Sequence, residues 1–508
     1  MLVIISDLHL TDGTTGTTIG NSAFTQFVSR LQEMAVDASW RDNLAEHAQN
    51  PKQPKKIYKP IQSLDLLLMG DIFDIIRSTL WTDHGCTIRP WRDPNNPNWE
   101  AEMVAKVDEI VDAILIHNRH ALETLRILTP PCSEPCEYAP THYKIGDNEH
   151  RINYTYRKPI MIPPAGKRRY PDYEAEHLPV LVNIYYMAGN HDWFFVNEGR
   201  AFDRIRAKVV ETIGLAHPYT DPFPWDVSRE KHTPFTQTLL DHKVFARHGD
   251  LYDSFNYDEQ AGTRTVTSIG DALVIELINR FPREVELQLT QLSEIQPTFV
   301  DGLKEIANVR PLEALPAWLN HLLVGFEKHG MEHAISRKVQ AIWNDLVDNL
   351  LASPYLKAQD TWNPFQAVDS LQLVLQVSKL SIQRAEKWLD RAQFLLDKFE
   401  ETIDQYTIAA TKEEWLQDGR AHYIVYGHTH GQKIVPLDRR IDGDKDARLF
   451  YFNSGTWKKL HERIAFVGQN KGLPFVDFSV MSYLAFFKEG ERSGRPFETW
   501  AGTLANRD

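Results

Sequence analysis

Aspartate, histidine and asparagine recur in five short motifs spread between residues 7 and 430. In chain order the motifs are Asp7-Leu8-His9, Gly70-Asp71-Ile72-Phe73-Asp74, Gly189-Asn190-His191-Asp192, His248-Gly249-Asp250 and Gly427-His428-Thr429-His430. Asp and His are hard to borderline ligands, which suit Mn, Fe, Zn or Mg better than soft metals. In extended backbone, side chains two residues apart share a face, so Asp7 and His9 can address one ion. The motifs therefore predict a metal centre.

The number of candidate ligands in these motifs favours two ions over one. Their Asp, His and Asn side chains offer seven candidate ligands, too many for a single ion. Two-metal sites space their ions roughly 3.5–4 Å apart, a distance that one carboxylate can bridge. The glycines that accompany most of the motifs let the backbone turn sharply and approach a ligand closely.

Each motif follows a short apolar run with the character of a buried strand. These runs are Leu2–Ile5, Leu64–Met69, Val180–Met187, Lys243–Ala246 and Tyr423–Tyr426. Runs this short and this rich in Val, Ile, Leu and Tyr favour strands, because helices need longer periodic segments. Helical patterns lie between them, such as Glu100–Leu128 and Ala201–Ile213, and predict an α/β layered fold. Ligand sites in such sheets gather beyond the carboxyl ends of the strands, which would bring the motifs together.

Two segments interrupt the alternation of strands and helices. Residues 129–178 are rich in Pro, Tyr and charge, and we expect a long loop or a small hairpin excursion. Residues 266–415 show successive helical patterns, including Val339–Leu351 and Val368–Phe399, with almost no strand signal. We interpret them as a helical insertion, either a cap over the site or a module for packing or dimerisation. The predicted core is then residues 1–265 together with residues 416–508.

The composition, with 42% hydrophobic and 25% charged residues, is typical of a soluble globular protein. A net charge of −13 disfavours broad binding to nucleic acid, which needs a basic face. No apolar run approaches the roughly 18 residues that can span a bilayer, and the N-terminus has no basic segment or cleavage site. Three cysteines are too few for a disulfide framework. We therefore expect a cytoplasmic protein.

The ordered set D-x-H, G-D-x-x-D, G-N-H-D, H-G-D and G-H-T-H resembles the calcineurin-like metallophosphoesterase superfamily. Each piece alone is common by chance, but all five in order, each after an apolar run, form a specific pattern. The resemblance covers roughly residues 1–255 and 416–480 and leaves out the helical insertion. It implies a layered β-sandwich core flanked by helices and two divalent metal ions, with Mn favoured among Mn, Fe, Zn and Mg.

The resemblance also implies a role for each matching residue. Its metal ligands are Asp7, His9 and His430 for one ion, Asn190, His248 and His428 for the other, and Asp71 as the bridge. Its catalytic residues are His191, beside the substrate, and Asp74, which would orient His191 and fix its tautomer.

Charge counting supports phosphoester chemistry at such a centre. Two divalent cations, less the carboxylates of Asp7 and Asp71 and one bridging hydroxide, leave about one net positive charge. The ions would lower the pKa of the bridging water, and the resulting hydroxide would attack phosphorus in line. His191 would stabilise the developing charge or protonate the leaving oxygen. The predicted activity is that of a phosphodiesterase or phosphatase on a small or medium substrate.

The sequence leaves the substrate class open. S-D-L-H-L and H-G-D-L-Y-D are similar to the branch that contains UDP-2,3-diacylglucosamine pyrophosphatases, although that branch often has Arg in place of His191. A metal-dependent nuclease is an alternative, because D-x-H and G-H-T-H also occur in DNA-repair nucleases of the superfamily. A non-catalytic scaffold, with the helical insertion as its partner surface, is another. The oligomeric state is not predicted.

Several residues beside the motifs have two interpretations each. Arg247 is predicted either to bind a substrate phosphate or to form a salt bridge. The aromatic run Trp193-Phe194-Phe195 either contacts a substrate or packs in the core. Asp192 and Asp250 either belong to the site or hold their loops.

Overall fold

The computed structural model describes residues 1–130, 142–145, 148–151, 156–230, 232–258, 262–289, 297–309, 315–328, 331, 333–359, 405–442, 445–463 and 475–505. The strands are β1 Leu2–Ile5, β2 Trp40–Asp42, β3 Lys56–Tyr58, β4 Ser63–Met69, β5 His142–Ile145, β6 Asn148–Arg151, β7 Ile160–Ile162, β8 Leu178–Met187, β9 Val244–Ala246, β10 Tyr423–Tyr426, β11 Lys433–Asp442, β12 Lys445–Asn453, β13 Lys458–Arg463, β14 Phe475–Phe486 and β15 Phe497–Ala505. The α-helices with assigned bounds are α1 Asn21–Ala38, α2 Leu44–Gln49, α3 Trp99–His117, α4 Arg119–Arg126, α5 Arg200–Ile213, α6 Pro234–Asp241, α7 Ile269–Leu273, α8 Arg280–Leu289, α9 Pro297–Lys304, α10 Leu315–Lys328, α11 His333–Ala352, α12 Pro354–Gln359 and α13 Glu414–Gln417.

Two β-sheets carry the five motifs. The first has the strand order β13-β14-β1-β4-β8-β7, with β15 paired to β14, and its β1, β4 and β8 are parallel. The second has the order β11-β12-β10-β9, in which β9, β10 and β12 are parallel. Three motifs follow β1, β4 and β8, and the other two follow β9 and β10. The motifs therefore lie at the carboxyl ends of neighbouring parallel strands, and the mixed α/β prediction is confirmed.

Alternate residues of the central strands pack into two different apolar clusters, as the period of a strand requires. In β1, Val3 and Ile5 join a cluster that includes side chains of α1, α3, α4 and α5. Leu2 and Ile4 instead join a cluster that contains residues of both sheets, such as Val425. The first sheet thus has helices on one face and the second sheet on the other.

The predicted strands agree with the structure to within two residues. The run that was expected to begin at Lys243 begins at Val244, because Lys243 has a left-handed backbone with φ 58°. The helical pattern predicted over Glu100–Leu128 is confirmed for most of its length but is divided into two helices, since α3 ends at His117 and α4 spans Arg119–Arg126. At the break, the Asn118 amide donates to the carbonyl of Thr11 at 2.7 Å. The same amide also donates to the carbonyl of Ile114 at 2.9 Å, and such a local bond from Asn competes with continued helix.

The two interrupting segments differ in how they join the core. Within 129–178, β5 and β6 form the expected hairpin, but β7 pairs with β8 and so extends the first sheet. The described part of 266–415 is largely helical and has an apolar cluster of its own. The predicted helix Val339–Leu351 lies within α11, whereas Val368–Phe399 lies outside the described residues. Among the described helices, none combines the length and apolarity that crossing a membrane requires.

Because His242, just after α6, is a buried histidine, we expect the protein to lose stability in acid. His242 is 2% exposed, Nδ1 donates to the carbonyl of Thr238 at 2.8 Å, and among the described residues Nε2 has no hydrogen-bond partner. Burial lowers the pKa of His242 from 6.5 to about 3. Between these two pH values the unfolded chain binds a proton at His242 and the folded chain does not. The free energy of unfolding therefore decreases as the pH is lowered from about 6.5 to about 3. We expect a loss of about 3 kcal/mol by pH 4.

Urea unfolding of wild type and His242→Gln between pH 8 and pH 4 measures this contribution. The variant is expected to be less stable at pH 8 but to lose less stability on acidification. Parallel pH dependences in the two proteins would show that His242 is not the group responsible.

Candidate metal centre

The ends of β1 and β10 bring Asp7, His9 and His430 together. One potential ligand atom from each lies within 4.8 Å of the other two. Asp7 Oδ1 is 3.4 Å from His430 Nε2, and the Nε2 atoms of His9 and His430 are 3.0 Å apart. Asp7 and His9 are buried, while the His430 side chain is 10% exposed. This group matches the predicted ligands of one ion.

A second group lies at the ends of β4, β8, β9 and β10. Ligand atoms of Asp71, His248 and His428 again lie within 4.8 Å of one another. Asn190 Oδ1 is 3.1 Å from His248 Nε2 and 3.0 Å from His428 Nδ1. These four residues match the predicted ligands of the other ion.

Asp71 lies between the two groups. Its Oδ2 is 3.2 Å from His248 Nε2 in one group and 3.8 Å from His9 Nε2 in the other. Its Oδ1 accepts the backbone N–H of His191 at 2.8 Å, which fixes the carboxylate plane. Its position is the one that a shared ligand needs.

The ring protons of three histidines point away from these groups. The acceptors are Asp74 Oδ2 for His9 Nδ1 at 2.8 Å, the Met69 carbonyl for His248 Nδ1 at 3.3 Å, and Asp253 Oδ2 for His428 Nε2 at 2.9 Å. Because carboxylates and carbonyls only accept, these nitrogens carry the protons in the neutral rings. The opposite nitrogens then direct their lone pairs at other potential ligand atoms: His430 Nε2 for His9, and carboxylate or amide oxygens for His248 and His428. Several lone pairs that converge in this way fit a divalent cation.

The electrostatics of the buried carboxylates indicate the same need for positive charge. Burial raises the pKa of Asp7 to about 6. Burial also disfavours ionised Asp71, but the charges of His248 and His191 outweigh it and hold the Asp71 pKa well below its usual range. Burial lowers the His248 pKa, yet Asp71 and Asp7 raise it to about 9. A divalent ion at these oxygens would supply the positive charge that the carboxylates need and would leave His248 neutral as a ligand.

His191 lies beside the two groups, paired with Asp74. Its Nδ1 is 2.5 Å from Asp74 Oδ1, and its side chain is 14% exposed. Burial disfavours the imidazolium, but the charges of Asp74 and Asp71 outweigh this effect and raise the His191 pKa. Asp74 also contacts His9, so His9, Asp74 and His191 form a third group of potential ligand atoms. The pairing of His191 with Asp74 agrees with the predicted orienting contact.

The backbone at the site is strained. Ten non-glycine residues of the described chain have positive φ, and five of them are candidate ligands: Asp7, His9, Asp71, His428 and His430. Each such conformation costs about 1–3 kcal/mol and persists only where surrounding structure enforces it. Here the bonds from Asp7 N–H to the Gly70 carbonyl and from His9 N–H to the Asp71 carbonyl hold two motifs together. Strain concentrated on the ligands indicates a site shaped for function.

Motif glycines make room for the ligand side chains. A Cβ at Gly70 would overlap the His248 ring, and one at Gly189 would overlap the Asp71 carboxylate. Gly70 also has φ +77°, which other residues rarely adopt. Gly70 and Gly189 are therefore needed because ligand side chains pack against their Cα atoms, and Gly70 is needed also for its positive φ.

Asp192 and Asp250 hold their loops. Asp192 accepts from the Tyr186 hydroxyl at 2.6 Å and from the backbone N–H groups of Gly189 and Ile72. Asp250 forms an ion pair with buried Arg264. The aromatic residues that follow Asp192 are buried in the main apolar cluster, so the core-packing alternative holds for Trp193, Phe194 and Phe195.

Arg247 lies in a buried ion-pair cluster, which favours the salt-bridge alternative over contact with substrate. Its guanidinium donates to Asp226 and Glu413, each at 2.7 Å, and to the Tyr252 hydroxyl at 2.6 Å. Arg247 is 8% exposed, and both carboxylate residues are buried as well. Both terminal nitrogens of Arg247 therefore already donate hydrogen bonds within the protein.

Arg247→Met is expected to lower the free energy of unfolding by about 3–5 kcal/mol, because it removes the cation that pairs with buried Glu413 and leaves buried Asp226 with the exposed Arg229. Arg229→Met is the matched control, since the 58% exposed Arg229 pairs with the same Asp226 at 3.4 Å. Its expected cost is at most about 1 kcal/mol. Urea unfolding measures both. Equal stabilities of the two variants, with a raised KM for Arg247→Met, would instead favour the alternative in which Arg247 binds a substrate phosphate.

Sequence reasoning missed three residues that contact the site. Asp253 accepts from His428, and Asn256 accepts from the Asn190 amide at 3.2 Å. Arg77 lies with its guanidinium 3.5 Å from Asp74 and also donates to Asn308 of the helical insertion. The closeness of Asp253 and Asn256 to the H-G-D motif was the available signal.

No family model, curated protein or solved structure matches this chain.

Proposed function

We propose that this chain is a dinuclear metal-dependent phosphoester hydrolase of the calcineurin-like metallophosphoesterase superfamily. The observation that carries the proposal is the position of Asp71 between two groups of buried ligand atoms. The candidate ligands come from five strand ends of two sheets that share an apolar cluster. That arrangement is what the layered β-sandwich of this superfamily would require.

Each ion has a defined set of ligands in this proposal. The ligands are Asp7, His9 and His430 for one ion, Asn190, His248 and His428 for the other, and Asp71 for both. When bound, two divalent ions, with Mn favoured, would supply Lewis acidity toward phosphoryl oxygens and lower the pKa of a water molecule. Imidazole, carboxylate and amide donors without thiolates suit such ions.

His191 and Asp74 would handle the proton of the leaving group. Asp74 holds the Nδ1 proton of His191, which leaves Nε2 to donate a proton or hydrogen bond to the departing oxygen. The carboxylates beside it favour the protonated ring, which is the form a general acid needs. Asp74 also holds His9, so it would orient a ligand and the acid together.

The experiment is a substrate panel on protein stripped of metal and reloaded with Mn²⁺. It includes a phosphomonoester, a phosphodiester, single-stranded DNA and a nucleotide-sugar pyrophosphate, each with and without chelator. We expect Mn²⁺-dependent turnover of a small phosphoester in preference to DNA, since the chain carries a net charge of −13. Preferred cleavage of DNA would support the nuclease alternative. No turnover of any substrate by protein that holds two ions would overturn the proposal.

A further inference from the structure

Asp253 and Asn256, in the loop after β9, form a hydrogen-bonded ring with two candidate ligands. Asp253 Oδ2 accepts from His428 Nε2 at 2.9 Å and from Asn256 Nδ2 at 2.7 Å. Asn256 Oδ1 accepts from Asn190 Nδ2 at 3.2 Å, and Asn190 Oδ1 lies 3.0 Å from His428 Nδ1. The ring thus joins one carboxylate to two ligands of the same group.

The carboxylate determines which atom each ligand presents. An ionised carboxylate only accepts, so the neutral His428 ring carries its proton on Nε2 and keeps its lone pair on Nδ1. For the same reason Asn256 must turn its Nδ2 toward Asp253 and its Oδ1 toward Asn190. Asn190 must then donate outward through Nδ2, which turns its Oδ1 toward the group that contains His248. Amide and ring orientations follow here from the network.

Other contacts fix the ring itself. Asp253 Oδ1 accepts the backbone N–H of Phe255 at 2.9 Å, so both carboxylate oxygens are engaged. Gly270, at the start of α7, packs so closely on Asn256 that a Cβ there would overlap the Asn256 amide. The first helix of the insertion therefore supports Asn256.

We infer that Asp253 is a positioning residue that sets the ligand atoms of both His428 and Asn190 for one of the two metal sites, directly for His428 and through Asn256 for Asn190. This inference rests on the proposed function. In the described part of the chain, the hydrogen bonds of the Asp253 side chain go to His428, Asn256 and Phe255, so its effect is expected at one ion.

Asp253→Asn tests the inference because the amide has the same shape but cannot satisfy all three donors. If its oxygen accepts from Phe255 N–H, its NH₂ faces His428 and favours the tautomer with the proton on Nδ1. Mn²⁺ titration of metal-free protein, followed by calorimetry and by the electron paramagnetic resonance of coupled ions, gives the affinity of each site. We expect one site to weaken about 10–100-fold and the other to change less than about twofold.

Asn256→Ala, the second variant, removes the hydrogen bond that orients Asn190 and keeps the bond from His428 to Asp253. It is expected to lower the Mn²⁺ affinity of the site that contains His428 and Asn190 by a smaller factor than Asp253→Asn does. Asp203→Asn is the matched control, since the Asp203 side chain is 26% exposed, as is that of Asp253, and pairs with Arg206 away from the site. It is expected to leave both Mn²⁺ affinities unchanged. Wild type that binds two ions, with both affinities unchanged in Asp253→Asn, would overturn this inference alone. Wild type that binds fewer than two ions would instead overturn the proposed function.

Discussion

Asp71→Asn is expected to remove one bound ion per chain and to lower the rate of phosphoester hydrolysis by more than about 100-fold. Loss of a residue that merely orients a ligand costs about 10–100-fold, and Asp71 is proposed to contact both ions. Its Oδ2 lies between His248 and His9, so the amide would turn either a neutral oxygen or an N–H toward them. Metal analysis and steady-state kinetics measure the two effects together.

Thermal unfolding of the metal-free forms separates this effect from misfolding. The metal-free variant is expected to fold, because the substitution removes a buried negative charge and keeps the shape of the side chain. Asp83→Asn, at a carboxylate outside the motifs that pairs with Arg283 of α8, is the control and should keep both ions. Unchanged metal content and rate in Asp71→Asn would show that the centre does not depend on this carboxylate.

His191→Ala is expected to keep both ions and to lower kcat by about 10²–10⁴-fold. The loss should be largest for alkyl phosphoesters and smallest for nitrophenyl esters, because a weakly basic leaving oxygen needs no proton. The structural basis is the position of His191, whose ring pairs with Asp74 and whose backbone N–H donates to Asp71. Rates across a series of leaving groups, with metal content measured on the same samples, test both parts.

His333→Ala is the control for this variant, since His333 is an exposed histidine paired with Glu327 on the insertion. It should behave as wild type in every assay. Loss of an ion from His191→Ala would make His191 a ligand, in the group that it forms with His9 and Asp74. An equal loss of rate for all leaving groups would exclude proton donation as its role.

The features that sequence predicted well depend on neighbouring residues. Each strand before a motif is a local apolar run, and Asp7, for example, follows β1 by two residues. Parallel pairing of β1 with β4, and of β9 with β10, then brings the motifs to common sheet edges. Local pattern and a general rule of α/β sheets were sufficient there.

The features that could not be predicted from the sequence depend on contacts between segments that are distant along the chain. Arg247 pairs with Glu413, which lies 166 residues away, so nothing near Arg247 in sequence distinguished a salt bridge from a phosphate contact. Asn118 ends a helix by binding the Thr11 carbonyl, 107 residues away. The orientation of Asn190 depends on a hydrogen bond to Asn256, 66 residues away, so the sequence around Asn190 could not predict it.

Diffraction from crystals grown with Mn²⁺, recorded with anomalous signal, tests the central claim most directly. Two peaks are expected, about 3.5–4 Å apart, with Asp71 in contact with both. One should lie among Asp7, His9 and His430, and the other among Asn190, His248 and His428. A single peak, or a peak held by His9, Asp74 and His191 instead, would contradict the account.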